Sequence, residues 1–283
     1  MTANSAASIR DRLKRLADER GEDFNLVLTR FGLERLLYRL SKSRHAPSFM
    51  LKGALLFRLW YADDHRPTRD ADLLGAGPND VAFLVAVLKE VVRIEVNDGI
   101  DFDPDSVRGD AIREQANYGG VRLHVNAVLD RARLSLQVDV GFGDAVTPEP
   151  QSITYPTLLK EFEPPKLHAY PKATVIAEKF HAISVLGMTN TRLKDYFDLW
   201  RLLHDQSVPD IEISAALNAT YRRRATELTA DPLGLSQAFA TTAANVRLWN
   251  AFLKRNGLEA EPLDAVVAHL RARFEALARQ ARP

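Results

Sequence analysis

The chain has 283 residues, of which 46% are hydrophobic and 27% charged, proportions that are ordinary for a folded globular protein. The net charge of +1 excludes a protein-wide basic field, so a nucleic-acid partner would have to meet a local patch. The absence of cysteine excludes disulfides and thiolate metal sites. Short apolar runs and an N-terminus unlike a signal peptide predict a cytoplasmic protein with no membrane partner.

The first predicted elements are two helices, at about residues 9–20 and 25–41, where apolar residues recur at helical spacing. A short apolar strand at 49–52 then breaks at Gly53 into an apolar helix. After a polar loop the chain enters a strand that carries two aspartates, at positions 70 and 72.

The next segment predicts a helix from about 80 to 92 and a strand with loops between 95 and 112. Two alternating segments, 121–128 and 132–140, are separated by only three residues, which predicts an antiparallel hairpin.

Beyond Pro148 the chain changes character. Repeated prolines predict a connector that cannot be helical throughout. Helical periodicity then continues almost to the end, and the predicted helices cover 173–186, 193–204, 213–228, 236–256 and 263–279. We therefore predict an α+β protein, with a mixed sheet and helices in residues 1–165 and an all-helical domain in residues 166–283.

Asp70 and Asp72 are the strongest candidates for chemistry. Strand side chains alternate, so the two carboxylates share a face with Cα atoms roughly 7 Å apart. Carboxylates this close repel unless a cation lies between them, and such oxygen ligands suit Mg²⁺. The turn at Gly53 offers backbone N–H groups to an anion. Together these features predict nucleotidyl transfer, whereas the alternative is a pair of exposed residues at a strand end.

Asp139 is the candidate third carboxylate for a two-metal site. In its strand it shares a face with Ser135 and Gln137, opposite an apolar face. The alternative interpretation is an ordinary solvent face, and Asp144 is a second candidate for the same role.

These motifs resemble the nucleotidyltransferase superfamily, in which a glycine turn and helix precede Asp-x-Asp. The segments 51–54 (Leu-Lys-Gly-Ala), 66–75 (Arg-Pro-Thr-Arg-Asp-Ala-Asp-Leu-Leu-Gly) and 138–144 (Val-Asp-Val-Gly-Phe-Gly-Asp) resemble its AbiEii/MenT branch, toxins of toxin–antitoxin systems. Ala54 stands where most superfamily members have serine, so one hydroxyl contact is missing.

The resemblance implies a nucleotidyltransferase domain and a helical domain that closes the active-site cleft. It implies Mg²⁺ or Mn²⁺ as cofactor and a nucleoside triphosphate as substrate. The nucleoside monophosphate would pass to the 3′ end of tRNA, and a separately encoded antitoxin would neutralise the toxin.

Further site residues follow from this resemblance. In this branch a lysine such as Lys179 holds the triphosphate, and an acidic residue such as Asp195 or Asp198 orients the lysine or the acceptor. Each also has an ordinary structural explanation. Lys179 would then be a surface lysine, and Asp195 and Asp198 would belong to a capped helix start. Lys52 is either a phosphate partner or a surface lysine, and Arg66 either binds phosphate or braces the aspartates.

The sequence also allows two other functions. One is a nucleotidyltransferase that modifies a protein hydroxyl or a small molecule. The other is a non-catalytic nucleotide-binding module that kept the fold. The three candidate carboxylates favour an enzyme over this alternative.

Overall fold

The computed structural model describes residues 5–61, 66–113 and 119–281. The chain divides into two compact units, one formed by Met1–Gly143 with Gln151–Ala169 and the other by Asp144–Pro150 with Tyr170–Pro283. None of the helices in the described ranges is long and apolar enough to span a membrane.

The first unit contains a seven-stranded mixed sheet in the order β3-β4-β5-β2-β1-β7-β6. Its elements in chain order are α1 (Ala6–Arg20), α2 (Phe24–Lys42), β1 (Phe49–Lys52), α3 (Phe57–Trp60), β2 (Asp70–Gly75), α4 (Val81–Val92), β3 (Ile100–Arg113), β4 (Gly119–Leu129), β5 (Ala132–Phe142), β6 (Gln151–Thr154) and β7 (Lys166–Ala169). The three long helices start at side-chain caps, because Ser5, Asp23 and Asp80 accept hydrogen bonds from the backbone N–H three residues on.

One face of this sheet packs against α2 and α4 to form the core of the unit. Buried side chains such as Ala71 and Leu73 of β2 and Val138 and Val140 of β5 line that face. Because strand side chains alternate, the aspartates between these residues lie on the opposite face. The predicted mixed sheet, the strand from Asp70 and the hairpin between β4 and β5 are confirmed.

Two strands were not predicted. β6 and β7 lie in the proline-rich connector, pair antiparallel with each other, and add to the sheet where β7 runs parallel to β1. Each has only four residues, so alternation within it is too short to be distinguished from a loop.

The second unit is helical, as predicted. Its helices are α5 (Lys172–Leu186), α6 (Leu193–His204), α7 (Asp210–Arg223), α8 (Gln237–Thr241), α9 (Ala243–Asn256) and α10 (Leu263–Ala281).

Two helices predicted in this unit differ from those observed. The helix predicted over 213–228 ends at Arg223, because Ala225 adopts a positive φ of 48° and the Thr226 N–H donates to the Tyr221 carbonyl in a Schellman motif. The helix predicted over 236–256 is interrupted at Thr242, which has an extended backbone. There the hydroxyls of Thr241 and Thr242 donate to carbonyls one turn back.

Candidate active site

Four charged residues form a row across four adjacent strands of the first unit. Lys52 of β1 lies opposite Asp72 of β2, Asp72 lies opposite Asp139 of β5, and Asp139 lies opposite Arg122 of β4. Residues directly opposite each other in a sheet point to the same face. The row therefore places two carboxylates side by side, with a cation at each end, on the face away from the core.

Asp70 joins this row from the same strand as Asp72. Oxygen atoms of Asp70, Asp72 and Asp139 all lie within 4.8 Å of one another, and the three side chains are half-buried. Thr68 Oγ1 donates a hydrogen bond of 2.5 Å to Asp70 Oδ1, which restrains that carboxylate from the loop before β2. The structure thus brings the three predicted carboxylates together, and Thr68 is an added partner.

Asp139 is held by three hydrogen bonds. Arg122 grips it with both arms of its guanidinium, from Nε to Oδ1 at 2.9 Å and from Nη2 to Oδ2 at 2.7 Å. Gln137 Nε2 donates to Oδ1 at 3.1 Å. The hydrogen bond to Asp139 raises the pKa of Arg122 above its usual value, and the negative charges of Asp139, Asp70 and Asp72 add to this increase.

Arg122 was not singled out from the sequence. Its strand alternates between buried apolar residues and Arg122, His124 and Asn126, which places the arginine on the polar face. That alternation, combined with the hairpin register, was the signal that would have identified it.

Gly53 lies against Asp72. It has a positive φ of 73°, and a Cβ at this position would fall 1.9 Å from Asp72 Oδ2. The apolar helix expected after Gly53 begins as a 3₁₀ turn over Gly53–Leu56, which leads into the four-residue α3. The structural reason for glycine is therefore its close approach to a carboxylate.

Of the two predicted phosphate-binding cations, Lys52 lies beside this cluster in the sheet. The Lys52 Nζ atom is 3.5 Å from the position that a Cβ on Gly141 would occupy, so its side chain extends over β2 toward β5. Arg66 is half-buried in the loop that leads into β2.

Lys179, Asp195 and Asp198 come together in the second unit. The Lys179 ammonium lies 2.8 Å from Asp195 Oδ1 and 2.6 Å from Asp198 Oδ2, and both aspartates are fully buried. Arg192 Nε makes an ion pair of 2.8 Å with Asp195 Oδ2. Burial alone would raise the pKa of Asp195, but the charges of Lys179 and Arg192 outweigh it and the pKa is lowered. Spacing alone could not separate the two acids, and both bind the lysine.

Asp144, the alternative to Asp139, has other partners in the second unit. Arg224 Nη2 donates to its Oδ1 at 2.9 Å and the Tyr170 hydroxyl to its Oδ2 at 3.2 Å. The cluster with Asp70 and Asp72 is formed by Asp139.

The carboxylate cluster suits a divalent cation. A cation that takes oxygen ligands at about 2.1 Å holds them roughly 3 to 4 Å apart, and small side-chain rotations bring these oxygens into that range. Three carboxylates on one face also need positive charge, which the flanking Lys52 and Arg122 supply in part.

Comparison with known proteins gives three results. No curated protein matches the sequence. The similar solved structures include two from Helicobacter pylori. A candidate nucleotidyltransferase is 17% identical with a TM-score of 0.50, covering 88% of this chain and 93% of its own. The protein JHP933 is 16% identical with a TM-score of 0.48, covering 88% and 90%.

The first of these structures shows that the fold of this chain is that of a nucleotidyltransferase-like protein. The profile of the family described as "Nucleotidyl transferase AbiEii toxin, Type IV TA system" matches residues 35–279 and so includes both units. This extent confirms the resemblance seen in the sequence motifs: the chain belongs to the AbiEii family of toxins of type IV toxin–antitoxin systems and is a nucleotidyltransferase.

Proposed function

We propose that this nucleotidyltransferase transfers a nucleoside monophosphate from a nucleoside triphosphate to the 3′ end of tRNA. The observation that supports the proposal is the cluster of Asp70, Asp72 and Asp139, whose oxygens lie within 4.8 Å of one another on one face of the sheet. Family membership implies a nucleotide substrate and a cognate antitoxin. The acceptor is our inference from the resemblance of the motifs.

The three aspartates would hold Mg²⁺ or Mn²⁺. When bound, such ions stabilise the entering and leaving oxygens of phosphoryl transfer. Asp70 is restrained by Thr68, and Asp72 is restrained by its close approach to Gly53. Asp139 accepts three hydrogen bonds from Arg122 and Gln137, and its carboxylate lies beside those of Asp70 and Asp72. We assign Asp139 to metal binding on the basis of this cluster.

In the transfer step, the hydroxyl oxygen of the acceptor forms a bond to the α-phosphorus, and the bond between that phosphorus and the α–β bridging oxygen breaks. Pyrophosphate leaves with the bonding electron pair, and the hydroxyl proton passes to water. The protein's contribution is to fix the reacting groups and to compensate their charge.

Cationic and backbone groups would bind the triphosphate. We assign this role to the Gly53 N–H, Lys52, Arg66 and Lys179. An ammonium is a compact charge that suits phosphate oxygens, whereas a guanidinium can bind two of them at once. Asp195 and Asp198 would hold Lys179 in position, because both carboxylates bind its ammonium.

The test is a labelling assay combined with a growth assay. Purified protein is incubated with each α-labelled nucleoside triphosphate, total tRNA and cell lysate in the presence of Mg²⁺. We expect label on the 3′ end of tRNA. Label on protein or on a small molecule would instead identify another acceptor class and overturn the tRNA assignment.

Asp70→Ala tests the metal assignment in the same two assays. We expect it to abolish transfer and to relieve growth inhibition while the protein remains folded. Asp110→Ala is the matched control, since Asp110 is an exposed aspartate on β3. Full transfer and full toxicity in Asp70→Ala would refute the role of the cluster.

A further inference from the structure

We propose that Arg122 is a positioning residue that competes with the divalent cation for Asp139. In this view it holds the carboxylate row together before metal binds and weakens metal binding at Asp139, because the ion must displace the guanidinium or share the carboxylate with it. The inference rests on the proposed metal site and adds a regulator of its affinity.

The contacts of Arg122 support this role. Its guanidinium takes both oxygens of Asp139, at 2.9 and 2.7 Å, in the two-armed geometry that makes arginine–carboxylate pairs strong. A metal ion at this cluster would need at least one of those oxygens. Arg122 and Gln137 together take three of the roughly four lone-pair sites of this carboxylate, so a metal ion must use the remaining site on Oδ2 or displace the guanidinium.

The charge of Arg122 opposes metal binding as well. Its guanidinium lies at one end of the row, next to the three clustered carboxylates, whose charges all act on it. A fixed positive charge next to the cluster repels a divalent cation about twice as strongly as it repels a monovalent one. Removing the charge makes the potential at the cluster more negative.

The exposure of Arg122 makes release feasible. Its side chain is 43% exposed, whereas that of Asp139 is 17% exposed. The arginine therefore lies at the rim of the cluster, where its guanidinium can rotate into solvent without disturbing the core. Asp139 stays in the row, also held by Gln137.

Binding of Mn²⁺ alone, without nucleotide, tests the proposal. Free Mn²⁺ is followed by electron paramagnetic resonance during titration of the full chain. We expect Arg122→Gln to bind Mn²⁺ roughly tenfold tighter than the original protein, or more. Arg122→Lys keeps the charge but not the two-armed contact, so its affinity should fall between the two. The melting temperature without metal should drop in Arg122→Gln and recover when Mn²⁺ is added.

Arg133→Gln is the matched control. Arg133 lies on β5, the strand of Asp139, and points to the same face as Asp139. The two residues are about 20 Å apart, a distance over which salt screens the charge of Arg133. It should leave the Mn²⁺ affinity unchanged. Equal or weaker affinity in Arg122→Gln, with normal binding by the original protein, would overturn this inference alone. Failure of both proteins to bind Mn²⁺ would overturn the metal site, and the inference with it.

Discussion

Gly53 and Asp72 lie so close that the residue at position 53 can have no side chain. A Cβ there would be 1.9 Å from Asp72 Oδ2 and 2.6 Å from its Cγ, and the backbone has a positive φ. The two residues belong to adjacent segments, since Lys52 just before the glycine lies opposite Asp72 in the sheet. The glycine therefore fixes where this carboxylate can point.

We expect Gly53→Ala to lower transfer activity about 100-fold or more, because the added methyl group must displace the Asp72 carboxylate by about an ångström or more. The left-handed backbone adds an unfolding free-energy loss of about 1 kcal/mol. The rate of label incorporation under saturating nucleotide measures the first effect, and denaturant unfolding measures the second.

Gly21→Ala separates these two effects. Gly21 caps α1 with a φ of 64°, close to that of Gly53, but a Cβ there would meet no atom within 4 Å among the described residues. Gly21→Ala should therefore lose similar stability and keep its activity. Similar activity in both variants would mean that the contact with Asp72 does not matter.

Thr68 gives a second test of how the carboxylates are restrained. Thr68→Val removes the hydroxyl that donates to Asp70 Oδ1 while keeping the branched shape. Loss of a hydrogen bond that orients a metal ligand typically costs 10- to 100-fold, so we expect Mn²⁺ affinity and activity to drop by about that factor. Thr68→Ser keeps the hydroxyl and should behave like the original protein. If Thr68→Val matches Thr68→Ser in Mn²⁺ titration, Asp70 does not need this restraint.

Long periodic segments of the fold were predictable from sequence, and short ones were not. α6 was predicted with both boundaries correct, because an apolar stripe over 193–204 defines it. By contrast, α7 ends in a Schellman motif built on Ala225, where glycine is the usual signal. The strands β6 and β7 depend on partners distant in sequence, and four residues carry too little alternation to indicate them.

The geometry of the candidate site was predictable where its residues share one strand. Asp70 and Asp72 share a face by alternation alone, whereas the position of Asp139 beside them depends on parallel pairing of β2 with β5. Arg122 was missed because its partner, Asp139, lies in the other strand of a hairpin. The polar contacts of Lys179 bridge two helices, α5 and α6, and no local pattern shows such a contact.

Substitution of Lys179 tests whether its charge serves the stability of the fold, the binding of nucleotide, or both. Lys179→Met would leave Asp195 and Asp198 buried without their ammonium, and breaking such a buried pair typically costs about 3 to 5 kcal/mol of unfolding free energy. We expect the single variant to lose both stability and activity. Denaturant unfolding and the labelling assay measure the two losses separately.

The triple variant Lys179→Met, Asp195→Asn, Asp198→Asn distinguishes the two roles. It removes the buried charges together, so stability should largely recover. If Lys179 binds the triphosphate, the triple variant regains stability but not activity, and its KM for nucleotide stays raised. Recovery of activity along with stability would instead make the lysine a purely structural residue and remove it from the proposed site.

His181 of α5 is a buried neutral histidine in the second unit. Its Nδ1 lies 3.3 Å from Arg224 Nη1, which can only donate, so Nδ1 accepts and Nε2 carries the proton toward Thr226 Oγ1 at 2.9 Å. Burial and, after it, the positive charge of Arg224 lower the pKa of His181 to about 4, while the charge of Asp144 acts in the opposite direction. Tyr221 packs edge-on against the ring, which adds to the burial.

This lowered pKa predicts a loss of stability in acid. The unfolded chain binds a proton at His181 below about pH 6.5, whereas the folded chain does so only near pH 4, so the contribution is complete at neutral pH and is lost as the pH falls through that window. Between pH 7.5 and 5 the loss should be about 2 kcal/mol of unfolding free energy. His181→Gln keeps a donor and an acceptor but does not titrate, so its stability deficit relative to the original protein should shrink by that amount over this range. Denaturant unfolding of both proteins at several pH values measures the difference. A deficit that stays constant from pH 7.5 to 5 would show that His181 is not held neutral by its surroundings.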